Sequence, residues 1–179
     1  MATPPATALS GASPSFQAAL HTDRPAADRV EEMALYGQFI GRWTFEGTMR
    51  GKDGSTHRGQ GEIHFGWVLD GRAVQDVWIL PGVFHGSTLR VYDPNIKAWH
   101  ILWSDPLQQY FSRQLGRANG RDIVQNGSND AGETTRWSFS EITPSSFRWR
   151  GEVSPDGGKS WELEAEFRAR RVGAQEETK

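Results

Sequence analysis

The 179-residue chain has no cysteine. That absence excludes a disulfide scaffold, a cysteine nucleophile and every thiolate metal site. Neither charge is in excess: 20 Lys and Arg stand against 22 Asp and Glu, a net charge of -2. A surface that attracts nucleic acid or anionic lipid needs a clear basic surplus, so neither partner is expected. No apolar run approaches the ~20 residues of a membrane-spanning helix. The opening MATPPATALSGASPSFQAAL also lacks the basic start and apolar stretch of a secretory signal, which points to a cytoplasmic protein. Helical periodicity is scarce too. It is confined to one segment, 28–38, where Asp28 is placed to cap and Val30, Met33, Ala34 and Tyr36 follow at near-helical spacing.

What is abundant is aromatic and glycine: 8 Trp, 9 Phe, 3 Tyr and 20 Gly. This combination suits a twisted sheet better than a helical bundle. From Phe39 onward the pattern alternates with period two and is punctuated by turn dipeptides. Trp43 and Phe45 lead to Gly51-Lys52-Asp53-Gly54, and Ile63, Phe65, Trp67 and Leu69 to Asp70-Gly71. Val74–Leu80 ends at Pro81-Gly82, Thr88–Tyr92 at Asp93-Pro94-Asn95, and Trp99–Trp103 at Asp105-Pro106. Tyr110–Gly116 and Arg121–Asn126 flank Asn119-Gly120. Segments around Thr135–Phe139, Phe147–Val153 and Trp161–Ala169 complete the series. About ten antiparallel strands with short turns expose no edge once closed, so the reading is an all-β, up-and-down antiparallel barrel with a short N-terminal helix. A two-sheet sandwich is the alternative. The expected organisation is a disordered leader over 1–27, one barrel domain over 28–172 and a frayed tail over 173–179.

Gly41-Arg42-Trp43, just after the helical segment, resembles the Gly-x-Trp signature of the lipocalin and calycin superfamily. The ordered set DGRAVQDVW, TLRVYDP and DGGKSW looks closer to a bacterial group of calycin-like proteins of the DUF1579 type, over about 39–171. The resemblance implies a small barrel with a central cavity and carries no settled activity. Nitrobindin-like barrels share the Gly-x-Trp opening and hold heme iron through a histidine near the C-terminus. Here the last histidine is His100 and the final strand has none, so neither heme nor another cofactor is expected.

Within this frame Asp76, between Val74 and Trp78, points inward if its neighbours do, and Arg90 on the next strand is its natural partner. The pair reads either as an acid–base or ligand-orienting element or as a structural ion pair. His64 is the catalytic candidate among the histidines, although it stands opposite the aromatic face of its strand. No histidine pair has metal-ligand spacing. Seven indoles, those of Trp43, Trp67, Trp99, Trp103, Trp137, Trp149 and Trp161, fall on the inferred inner face. Trp67, Trp78, Tyr92, Trp103 and Trp149 are the expected ligand-lining set. Arg136, Arg148, Arg150, Arg168, Arg170 and Arg171, interleaved with Glu152, Glu162, Glu164 and Glu166, read as outer ion pairs. Two functions fit: a module binding a small hydrophobic or aromatic molecule, or a cofactor-independent cyclase, isomerase or decarboxylase acting on an aromatic or polyketide-like substrate. Either is compatible with a homodimer.

Overall fold

The computed structural model of the chain describes residues 13–51 and 53–173. Ten of its strands form one closed antiparallel barrel: β2 (Gly41–Arg50), β3 (Thr56–Val68), β4 (Ala73–Leu80), β5 (Phe84–Asp93), β6 (Ala98–Asp105), β7 (Tyr110–Asn119), β8 (Asp122–Asn129), β9 (Thr134–Ser140), β10 (Ser146–Ser154) and β11 (Glu162–Arg171). From β3 onward each pairs with the strand before it, and β11 returns to β2 to close the ring. The expected barrel is therefore the observed one, and the sandwich is not. Alternation explains it: along β4 the side chains of Val74, Asp76, Trp78 and Leu80 are buried while those between them are half-exposed.

Two short helices precede the barrel, α1 (Phe16–Leu20) and α2 (Val30–Gly37). Met33 and Tyr36 form the buried face of α2, and Phe39 follows them inward, so the three side chains plug one end of the barrel. Phe39 lies 4.8 Å from the Phe139 ring, 5.0 Å from Phe147 and 5.5 Å from Phe65. The Trp43 indole donates to the Phe39 carbonyl at 2.7 Å, and the Arg171 guanidinium lies 4.1 Å over the Trp43 ring. Arg171 also donates to the carbonyls of Gln38 and Ile40, taking up backbone acceptors at the exit of α2.

The N-terminal segment differs from the sequence reading. Residues 1–12 of the expected leader, and 174–179 of the expected tail, lie outside the described residues. From Phe16 on, the leader carries α1 and a two-residue strand, β1 (His21–Thr22), paired with Val68 and Trp67 of β3. Elements this short have no hydrophobic period to read: α1 buries no side chain and starts at the Ser15 cap, and β1 is specified by its pairing with β3. Asp28 does not cap α2 but pairs with Arg72 at 2.9 Å, and Arg29 occupies the cap position without a side-chain bond.

Outside the barrel, Arg136 meets Glu152 at 2.9 Å, and Arg148 meets Glu141 at 3.0 Å and Glu166 at 2.5 Å, as expected. Arg171, by contrast, is taken up by Trp43 and backbone carbonyls, and Arg170 has no ion-pair partner among the described residues. Trp161 departs from expectation. A bulge between β10 and β11 shifts the register after Gly151, and the indole lies outside the barrel, 4.0 Å beneath the Arg136 guanidinium.

Candidate functional site

The interior is built of three layers along the barrel axis. At the α2 end, Tyr36, Phe39, Trp43, Phe65, Trp99, Phe139 and Phe147 are almost fully buried and in mutual ring contact. At the other end Trp78, Phe84, Trp103, Trp137, Trp149 and Phe167 form a second cluster. Trp149 stacks on Phe167 at 5.4 Å and lies 5.6 Å from both Trp78 and Trp137. Trp103 and Trp149 are only half-buried there, whereas Trp43 and Trp99 at the plugged end are sealed.

Between the two clusters runs a polar belt, contributed by β4, β5, β7, β8 and β9: Asp76, Arg90, Gln114, Gln125 and Thr135, with Tyr36 reaching down from α2. Asp76 and Arg90 are 0% and 1% exposed and form an ion pair. The Asp76 carboxylate also accepts the Thr88 backbone N–H at 3.2 Å. The Arg90 guanidinium lies 5.1 Å over the Tyr36 ring, 5.6 Å over Phe65 and 5.9 Å over Phe139. Its charge is thus held by one carboxylate and three ring faces. Burial, reinforced by the Asp76 carboxylate, pushes the Tyr36 hydroxyl well above the usual tyrosine range, against the opposing pull of Arg90. It is a neutral donor at any physiological pH. Gln114 donates to the Thr135 hydroxyl at 3.1 Å. Gly116 makes room for this packing, since a Cβ there would stand 2.4 Å from the Tyr36 hydroxyl.

The expected site residues separate into three places. Asp76 and Arg90 are joined as foreseen. Trp78, Trp103 and Trp149 gather at the end away from α2. Trp67 and Tyr92 belong to the other end, where Trp67 presses on Gly37 of α2 and Tyr92 lies 5.7 Å from Trp99. His64 is on the outer wall, 46% exposed and 3.2 Å from Glu62, so the barrel wall separates it from Asp76 and Arg90. The sequence reading missed Tyr36, Gln114, Gln125 and Thr135. Their signal was present: Ser112, Gln114 and Gly116, like Ile123, Gln125 and Gly127, are inner-face positions of period-two strands.

An open groove of about 610 Å³ crosses the outer faces of β2, β3 and β11. Its charges are mixed, with Arg42, Arg168 and Arg170 beside Glu46 and Glu62. Among the described residues, no group of three or more His, Asp or Glu gathers as a metal site, and no helix is long and apolar enough to cross a membrane.

No protein-family model matches the chain, and no curated protein matches it in sequence. Among solved structures, the crystal structure of Rv2717c from M. tuberculosis is similar in fold, with a TM-score of 0.57 over 80% of this chain and 98% of that one, at 10% identity. The structure of EF1p2_mFAP2b bound to DFHBI covers 79% of this chain and all of its own length, at 12% identity and a TM-score of 0.39. At these identities only the fold of the first carries across.

Proposed function

We propose that the barrel is a binding module for a small, planar hydrophobic or aromatic molecule, received at the end that α2 leaves unplugged. The observation that carries this reading is the pair of half-buried indoles, Trp103 and Trp149, standing over a ring cluster that continues inward through Trp78 and Trp137. Flat aromatic walls with a few convergent polar groups are the usual make-up of a small-molecule site. In this reading Trp78, Trp103 and Trp149 line the ligand, Asp76 and Arg90 orient it, and Trp67 and Tyr92 hold the plug. Membership of the calycin-like, DUF1579-type group belongs to the same proposal, supported by the Gly41-Arg42-Trp43 strand, and a cytoplasmic location is proposed with it on the sequence reading alone. Nucleic acid is not part of it, because the net charge is -2 and the outer Arg136, Arg148 and Arg168 are each paired with glutamate.

The enzyme reading draws on one specific observation, three titratable groups together inside the barrel: Asp76, Arg90 and Tyr36. Burial keeps the Tyr36 hydroxyl neutral, and the Asp76 carboxylate is engaged by Arg90 and the Thr88 N–H, an arrangement that suits ligand orientation better than proton transfer. Native mass spectrometry and thermal unfolding test the binding reading. Planar aromatics are expected to raise the melting temperature in a concentration-dependent way. Trp103→Ala with Trp149→Ala is expected to suppress that rise. A chain that carries no small molecule when purified and is stabilised by none of a panel of planar aromatics contradicts the proposal.

A further inference from the structure

The polar belt holds more hydrogen-bonding capacity than the protein uses. Gln125 is fully buried, and neither its Oε1 nor its Nε2 has a partner among the described residues. The Tyr36 hydroxyl, Arg90 Nε and Gln114 Oε1 are likewise without one, on side chains whose residues are 0%, 1% and 4% exposed. Buried polar groups are nearly always satisfied, so five such atoms in one region call for an explanation. They are also neighbours. The position of a Cβ on Gly116 would be 2.4 Å from the Tyr36 hydroxyl and 3.4 Å from Gln125 Cγ, which brings the two side chains to one spot. Arg90 covers the same tyrosine, and Gln114 precedes Gly116 by two residues on the inner face of β7.

We propose that this belt is a head-group site for a neutral carboxamide or lactam, an N–H beside a C=O, carried on an aromatic body. The inference rests on the binding reading above and gives that ligand its polar end. Arg90 Nε–H, the Tyr36 hydroxyl and the Gln125 amide N–H offer donors to a carbonyl; the oxygens of Gln114 and Gln125 offer acceptors to an N–H. Reversing the Gln125 amide leaves one donor and one acceptor free all the same, so the assignment does not turn on its orientation. Charge decides the class. The Arg90 cation is matched by Asp76, whose carboxylate is further engaged by Thr88. A carboxylate ligand would therefore add an unmatched buried negative charge, and an ammonium ligand an unmatched positive one. Placement follows from register, because Gln125 pairs with Trp137 across β8 and β9. A head held by Gln125 has its ring system beside Trp137, at the inner margin of the aromatic cluster.

The test titrates the full chain by calorimetry with three probes of one shape: 1-naphthamide, 1-naphthoate and 1-methylnaphthalene. The amide is expected to bind about tenfold more tightly than the hydrocarbon, and the carboxylate most weakly of the three. Gln125→Leu and Tyr36→Phe nearly preserve side-chain volume. Each is expected to erase most of the amide's advantage while leaving the hydrocarbon's affinity as it was. An amide that binds no better than the hydrocarbon overturns the head-group site alone and leaves the belt as a place for buried water. A carboxylate that binds most tightly overturns the charge argument. If none of the three binds, both this inference and the binding reading fall.

Discussion

Arg90 is among the largest fully buried side chains of the molecule, and its cation has one carboxylate to meet. Desolvating both ions costs several kcal/mol, which their attraction offsets only while both are present. Asp76→Asn keeps the shape and removes the charge, leaving the guanidinium unmatched among Tyr36, Phe65 and Phe139. Urea unfolding is expected to show a loss of about 3–5 kcal/mol for Asp76→Asn. Adding Arg90→Met to it is expected to recover much of that loss, since the unmatched ion is then gone. Equal losses for the single and double variants would mean that the unmatched guanidinium is not the source of the loss.

At the scale of elements, the β10–β11 bulge matters most. Gly151 faces Ala165 and Glu152 faces Leu163, so Glu164 is the extra residue, free of the alternation on either side. Its carboxyl is partly buried, and burial, reinforced by Glu133 and Glu162 and opposed by Arg50, raises it above the ordinary value of 4.5. Tyr110 faces the same carboxyl and is pushed up to about 12, chiefly by burial and then by Glu164. A carboxyl whose folded value is raised favours the folded state most fully below its unfolded value. That contribution is lost as the pH rises through the folded value. Ionised Glu164 therefore lowers stability at neutral pH. Glu164→Gln is expected to raise the melting temperature by about 1–3 °C at pH 7 and to leave it unchanged at pH 4, allowing for solvent screening of a partly exposed group. A rise of the same size at both pH values would assign the effect to packing instead.

For the whole molecule, the barrel was legible because nearly every strand from Phe39 to Arg171 keeps strict alternation and ends in a turn that Gly, Asp, Asn or Pro makes easy. The failures share a physical cause: they lie where phase or depth is set by tertiary contacts. Trp161 was put inside because one bulged residue reverses the face of everything beyond it. Trp67 and Tyr92 were grouped with Trp103 because alternation gives the face of a side chain and not its height along a barrel of tilted strands. Gln114 and Gln125 escape the sequence reading because a polar side chain on an alternating strand carries no sign of a buried belt. Asp76 and Arg90 were found together because a charged residue at an inward position of each of two hairpin-linked strands leaves little choice of partner.

The eight indole N–H groups make the interior directly readable by nitrogen-15 NMR. Titration with 1-methylnaphthalene is the most direct test of a ligand site at the unplugged end. Shifts are expected for the indoles of Trp78, Trp103, Trp137 and Trp149, with Trp43 held by the Phe39 carbonyl and Trp161 outside the wall both unmoved. A spectrum in which Trp161 alone shifts, or in which no indole does, would contradict a ligand site inside this barrel.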